Sequence, residues 1–199
     1  ELVTDAWRRM DAGVQVTNGT GHPMGALPRA KEPAMSVSIR RATADDLPQL
    51  ARLQVEINDP HVMALPHIFR DIVADAHTEA FLWPILEAEG SHVFVADEAG
   101  RLGGYAAFRV VDAPDTPIHV PRRWVALDTL VVAEAFRRQG VGTMLIEHVH
   151  AWAREREIDY VDLTVFAFNE AAIAFYEMLG YSIVSHRMGR ALSDAPVVR

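Results

Sequence analysis

The 199-residue chain contains no cysteine. That excludes a disulfide framework, a thiol nucleophile and a zinc–thiolate site. It also lacks a basic excess: 19 Lys and Arg stand against 27 Asp and Glu, a net charge of −8. Nucleic-acid binders usually carry a basic patch or excess, so that class is disfavoured, and an acidic surface suits cationic or amine ligands. No apolar run is long enough to cross a membrane. The first residues lack the basic-then-apolar pattern of a signal peptide. These absences lead us to expect a cytoplasmic protein, since a cysteine-free chain fits a reducing compartment. What is present is apolar material, 50% of the residues, enough for the core of one domain.

Three segments differ in texture. Residues 1–34 read as an irregular N-terminal arm or an expression-derived extension; Val14 to Pro33 is dense in Gly, Pro, Thr and Asn. Glu1 is not a start methionine, so processing or truncation is expected, while Met35 opens a stretch like a natural domain start. Residues 35–192 read as one domain and 193–199 as a frayed tail. Within the domain, strands are expected at Val37–Ala42, His92–Asp97, Leu102–Val111, Trp124–Val132, Tyr160–Phe166 and Tyr181–His186, with an extension of the last to Ala191 left open. Thr43 begins a helix through about Glu56, and 58–90 is mostly helical with breaks near Pro60 and Pro66. Asp112 to Arg122 reads as a long Pro-rich loop. Two further helices follow, within 137–157 and over 169–179. The order β-α-α-β-β-β-α-β-α-β predicts a mixed α/β sheet with helices on both faces.

The densest signal is Arg137-Arg138-Gln139-Gly140-Val141-Gly142-Thr143, between an apolar strand and an amphipathic helix. The start of that helix presents backbone N–H groups without internal partners, together with the positive end of the helix dipole. Gly140 and Gly142 let phosphate oxygens approach the backbone, and Arg137 and Arg138 offer charge-assisted bonds. A Walker loop is excluded, because Thr143 and Met144 stand where Lys and Ser or Thr are needed. A Rossmann fingerprint is excluded by Leu145 at the third glycine position. The remaining pattern, basic-x-x-Gly-x-Gly, resembles the coenzyme A pyrophosphate loop of the Gcn5-related N-acetyltransferases.

A second segment strengthens the resemblance. Asn169 to Tyr181 is similar to that family's Asn-x-x-Ala-x-x-x-Tyr-x-x-x-Gly-aromatic signature. Asn169 is a good N-cap, Gly180 a good helix terminator, and Asn169 and Tyr176 lie two turns apart on one face.

The resemblance covers about Val37 to Ala191. It implies the acyl-CoA N-acyltransferase fold, a mixed but mostly antiparallel twisted sheet. It also implies transfer of an acetyl group from acetyl-CoA to a primary amine by direct attack in a ternary complex, with no metal. In that scheme Arg137–Thr143 holds the diphosphate. Leu130, Val131 and Val132 offer a strand edge to the pantetheine arm, with a backbone N–H, that of Val132, facing the thioester oxygen. Asn169 holds the arm from the other side. Tyr176 is the general acid, protonated at neutral pH. Asp128, expected on the same strand face as Leu130 and Val132, is the first candidate base, and Glu134 on the following loop the second.

The acceptor pocket is expected from Asn58 to Trp83 and the loop Asp112 to Arg122, with His61, His67, Phe69, Trp83 and Arg109 as candidate lining residues. His148 and His150 are two apart on a helix and do not share a face, so they are not read as a metal site. The partner is expected to be a small amine or a peptide amine, with neither nucleic acid nor membrane involved, and a homodimer is left open. Two other readings share the fold: a non-catalytic acyl-CoA sensor and a protein or peptide N-terminal acetyltransferase.

Overall fold

The computed structural model describes residues 36–113 and 115–190. The predicted arm and tail fall outside them. The elements are β1 (Ser38–Arg41), α1 (Leu47–Ala64), α2 (Ala76–Glu87), β2 (Ser91–Glu98), β3 (Arg101–Ala113), β4 (Arg122–Val132), α3 (Val141–Arg154), β5 (Val161–Leu163) and α4 (Glu170–Met178). The sheet order is β1-β2-β3-β4-β5. Neighbours are antiparallel except β4 and β5, which run parallel.

Local chemistry explains the hairpin at the centre. β2 and β3 are joined by Ala99 and Gly100, at φ 50° and 88°, the left-handed pair that matches strand twist in a two-residue turn. The Asp97 carboxylate accepts the Gly100 N–H at 2.7 Å. β3 is buried from Leu102 through Phe108 on both faces, so its sequence is apolar without alternation.

The two faces carry separate cores. Phe94, Ala96, Ala106, Phe108, Val125 and Leu127 pack with Val141, Leu145, Ile146 and Val149 of α3. Those α3 positions form one stripe at helical spacing. On the opposite face Val93, Val95, Tyr105, Ala107 and Val131 pack with Leu50, Ala51 and Leu53 of α1 and Leu82 of α2. Arg40 of β1 pairs with Asp46 and Asp97 at 2.7 and 2.8 Å, which ties the start of α1 to the sheet.

Gly103 marks a close approach. A Cβ there would lie 2.6 Å from the ring of Phe136, a residue only 2% exposed just after β4. We expect Gly103→Ala to cost about 1–3 kcal/mol through overpacking, read as a lowered midpoint in urea unfolding.

Several expectations are corrected. α1 continues through Pro60 to Ala64; the lost N–H removes one helical bond without ending the helix, which stops only at Leu65, the residue restricted by Pro66. β5 spans three residues in place of seven, because its ladder with β4 ends at Leu127↔Leu163. The expected strand from Tyr181 does not form, and 181–190 lies outside regular structure. There Gly180 turns the chain at φ 88°. Tyr181 folds back onto the helices, its N–H 3.0 Å from the Tyr176 carbonyl and its hydroxyl 2.8 Å from His150 Nε2. β3 and β4 also reach further than expected, taking Asp112 and Arg122 into the sheet.

Candidate active site

β4 and β5 part after three paired residues, and the reason lies in β4. Its register with β3 passes from Phe108↔Leu127 to Ala107↔Thr129. Asp128 therefore has no partner and forms a β-bulge, which bends the strand and re-aims a side chain. Before the bulge Val125 and Leu127 face α3; after it Leu130 and Val132 do. Asp128 itself meets Arg109 of β3, Oδ2 to Nε 3.2 Å, and lines a cavity on the α1–α2 face. The expected shared face of Asp128, Leu130 and Val132 is thus overturned by one inserted residue.

The parting leaves a cleft of about 240 Å³. Leu130, Asn169 and Tyr176 all line it, with Asp128 from the bulge and Asn58 and His61 from α1. No residue of Arg137–Thr143 lines it; that loop approaches α4 at Gly142, where an added Cβ would lie 3.3 Å from Phe175 Cζ. Asn169 caps α4, its Oδ1 accepting the Ala172 N–H at 3.1 Å; its amide NH₂ remains available. Tyr176 lies two turns along the same helix. Burial, with a smaller push from Tyr181, raises its phenol well above the ordinary tyrosine value. Among the described residues its hydroxyl has no hydrogen-bond partner.

The loop before α3 has the geometry of an anion cradle. Arg138 is at φ 62° and Gly140, the N-cap, at φ 83°. Left-handed residues interspersed in a turn swing successive N–H groups towards one concavity. Among the described residues, no protein group accepts the N–H groups of Arg138, Gln139, Gly140, Val141, Gly142 or Thr143; Met144, 2.9 Å from the Gly140 carbonyl, is the first paired. Gly140 tolerates its conformation because it has no Cβ, whereas Arg138 holds it at about 1–2 kcal/mol.

The side chains of the loop differ in whether they have protein partners. Arg137 donates from Nε to the Val132 carbonyl at 3.0 Å and from Nη2 to Glu56 Oε1 at 2.7 Å. Glu56 Oε1 also accepts the Glu134 N–H at 2.6 Å. Gln139 donates to the Ala135 carbonyl at 2.8 Å. Arg137 and Gln139 thus brace the loop, and of the loop's two arginines Arg138 is the one with no ion pair to a described residue. Glu56 carries no sequence signal beyond being a charged helical residue. We expect Glu56→Ala to cost about 0.5–1 kcal/mol, as a half-exposed pair does, and to weaken ligand binding at the loop several-fold in calorimetry.

Two cavities meet at the bulge. The second, about 360 Å³, is lined by Leu50, Phe81, Leu82 and Ile85 with Arg109 at its edge. Gln54, Asp128 and Thr129 line both. Of the candidate pocket residues, His61 and Phe69 line the cleft and Arg109 the neighbouring cavity; His67, Trp83 and the described residues of 112–122 line neither. Phe166, which also lines the cleft, was legible only as part of a strand. Glu134 N–H is bound to Glu56, and Glu134 lines neither cavity. Among the described residues no group of three or more His, Cys, Asp or Glu is gathered for a metal ion, and no helix is long and apolar enough to cross a membrane.

Comparison with known proteins bears on this geometry. Residues 60–181 match the model of the acetyltransferase (GNAT) family. The chain is 32% identical to the 5-NmdU N-acetyltransferase of Pseudomonas phage PaMx11 over 98 residues, 49% of this chain and 61% of that one. It is also 32% identical to the uncharacterized N-acetyltransferase YdgE of Bacillus subtilis (strain 168) over 76 residues, 38% of this chain and 48% of that one. The matches thus span only half to three-fifths of these relatives' lengths. Among solved structures, the tetramutant of the BH1408 protein from Bacillus halodurans superposes with a TM-score of 0.73 at 30% identity, covering 78% of this chain and 99% of that one. An aminoglycoside acetyltransferase from an uncultured soil metagenomic sample shares the fold, with a TM-score of 0.58 at 19% identity, over 79% of this chain and 97% of that one.

Proposed function

Because the chain belongs to the acetyltransferase (GNAT) family, we propose that it moves an acetyl group from acetyl-CoA to a primary amine within a ternary complex. The single observation that carries this reading is the meeting of Leu130, Asn169 and Tyr176 in one cleft at the unpaired end of β4. The residues present suit the co-substrate. Six unpaired N–H groups at the start of α3 suit a diphosphate. The free edge of β4 over Leu130–Val132 suits an extended amide-bearing arm, which can pair as a strand does. The Asn169 NH₂ is a donor on the other wall.

Acetyl-CoA, when bound, supplies an activated acyl carbon; the protein supplies orientation, charge and protons. A backbone N–H of the β4 edge stabilises charge developing on the acyl oxygen. Tyr176 protonates the departing thiolate. Asp128 places a carboxylate where the two cavities join, and so draws an ammonium group to the cleft. The acceptor is a small amine or a peptide amine, reached from the α1–α2 side.

The test is calorimetric binding of acetyl-CoA together with thiol release in the presence of a panel of amines. Binding with amine-dependent thiol release is the expected result. Binding without release for any amine would leave a sensor of acyl-CoA, and absence of binding would sink the assignment of the cleft.

A further inference from the structure

We propose that His61 is the group that takes the proton from the acceptor amine. The inference rests on the acetyl-transfer reading above and adds a residue that neither motif contains. His61 lies one turn from the end of α1 and lines the cleft together with Tyr176, Asn169 and Asp128. Its Nδ1 is 2.8 Å from the Ile57 carbonyl. A carbonyl can only accept, so Nδ1 carries the hydrogen, and in the neutral ring the lone pair is on Nε2. Among the described residues Nε2 has no partner. This is the tautomer a base needs, and the helix backbone itself fixes it.

The ring is also held in place. Phe69, Phe166 and Phe168 surround it at centroid distances of 5.0, 5.3 and 5.2 Å. Three apolar rings from two separate loops leave the imidazole few rotamers, and positioning of this kind is what a proton acceptor requires. The other titratable groups facing the cleft are Asp128 from β4 and Tyr176 from α4; α1 adds only the neutral Gln54 and Asn58. Asp128 is already engaged by the Arg109 guanidinium. It therefore serves as the counter-ion of the entering ammonium, and His61 replaces it in the base role that strand alternation had assigned.

The protons balance. Nε2 accepts one proton from the ammonium. The freed nitrogen lone pair forms the C–N bond to the acyl carbon as the C–S bond breaks. The thiolate takes the Tyr176 proton, and the second proton on the new amide nitrogen returns to the phenolate. The imidazolium then passes its proton to water, so one proton is released for each amide formed.

The experiment compares His61→Gln and His61→Asn with the wild type. We expect kcat to fall by about 100-fold, in the range of lost general-base catalysis. We further expect the acid-side fall of the kcat/KM pH profile to disappear and the Kd for acetyl-CoA to be unchanged. Added imidazole should restore part of the rate in His61→Gly. Nitrogen NMR of the wild-type imidazole should show a hydrogen on Nδ1 and a lone pair on Nε2. An unaltered kcat and acid limb in both variants, with acetyl-CoA still bound, would overturn the role of His61 alone. A wild-type protein that binds no acetyl-CoA would overturn the role together with the reading beneath it.

Discussion

Gly142→Asp is expected to weaken acetyl-CoA binding by about 100-fold or more, with the fold retained. Two effects act in the same direction. A carboxylate at the second residue of α3 stands beside the N–H groups that the diphosphate would use. Like charges about 4 Å apart at a protein surface repel by about 4 kcal/mol before screening, and 1.4 kcal/mol is a factor of ten in Kd. The side chain also meets packed neighbours: a Cβ on Gly142 would lie 3.3 Å from Phe175 Cζ and 3.5 Å from Val132 Cγ2. Gly142→Ala carries the second effect without the first, so its loss of affinity should be much smaller. Calorimetry on both variants separates charge from packing. Equal affinities in Gly142→Asp and wild type would show that the diphosphate does not sit at this loop.

Tyr176→Phe is expected to lower kcat by about 100-fold while leaving acetyl-CoA affinity unchanged, because only the proton donor is removed. The ring contacts with Phe175 and Tyr181, at 5.3 and 5.6 Å, survive the change. The pH dependence has a definite sign. Burial raises the phenol's pKa above the usual value, so the acid form persists through neutral and mildly alkaline conditions. Tyr176 should therefore impose no fall in kcat up to about pH 10, the ordinary tyrosine value. An alkaline limb near neutrality that vanishes in Tyr176→Phe would contradict this environment. A Tyr176→Phe enzyme with wild-type kcat would remove the residue from the chemistry.

Parts of the site could be read directly from the chain. Asn169 and Gly180 bound α4 because capping and left-handed termination are decided within four or five residues. The cradle before α3 is legible for the same reason, since its N–H groups are unpaired whatever the rest of the protein does. Arg137 was legible as a residue of that loop, but its partner was not. Glu56 lies 81 positions earlier in the chain, and no local pattern marks it. The segment from Tyr181 forms no strand, because a strand needs an edge to pair with and the chain turns instead onto His150 and Tyr176.

By itself the sequence determined the order of elements from β1 to α4, the glycine-bearing turn before α3 and the capped helix bearing Tyr176, because each depends on contacts a few residues long. Only the tertiary structure decided which way Asp128 points, where β4 and β5 separate, and that His61 faces the same cleft as Asn169 and Tyr176. A bulge exists only relative to the strand opposite it, and a cleft only between elements that have already packed. Those outcomes follow from the register of β3 against β4 and from the seating of α1 across the sheet, neither of which is encoded within a short stretch of chain.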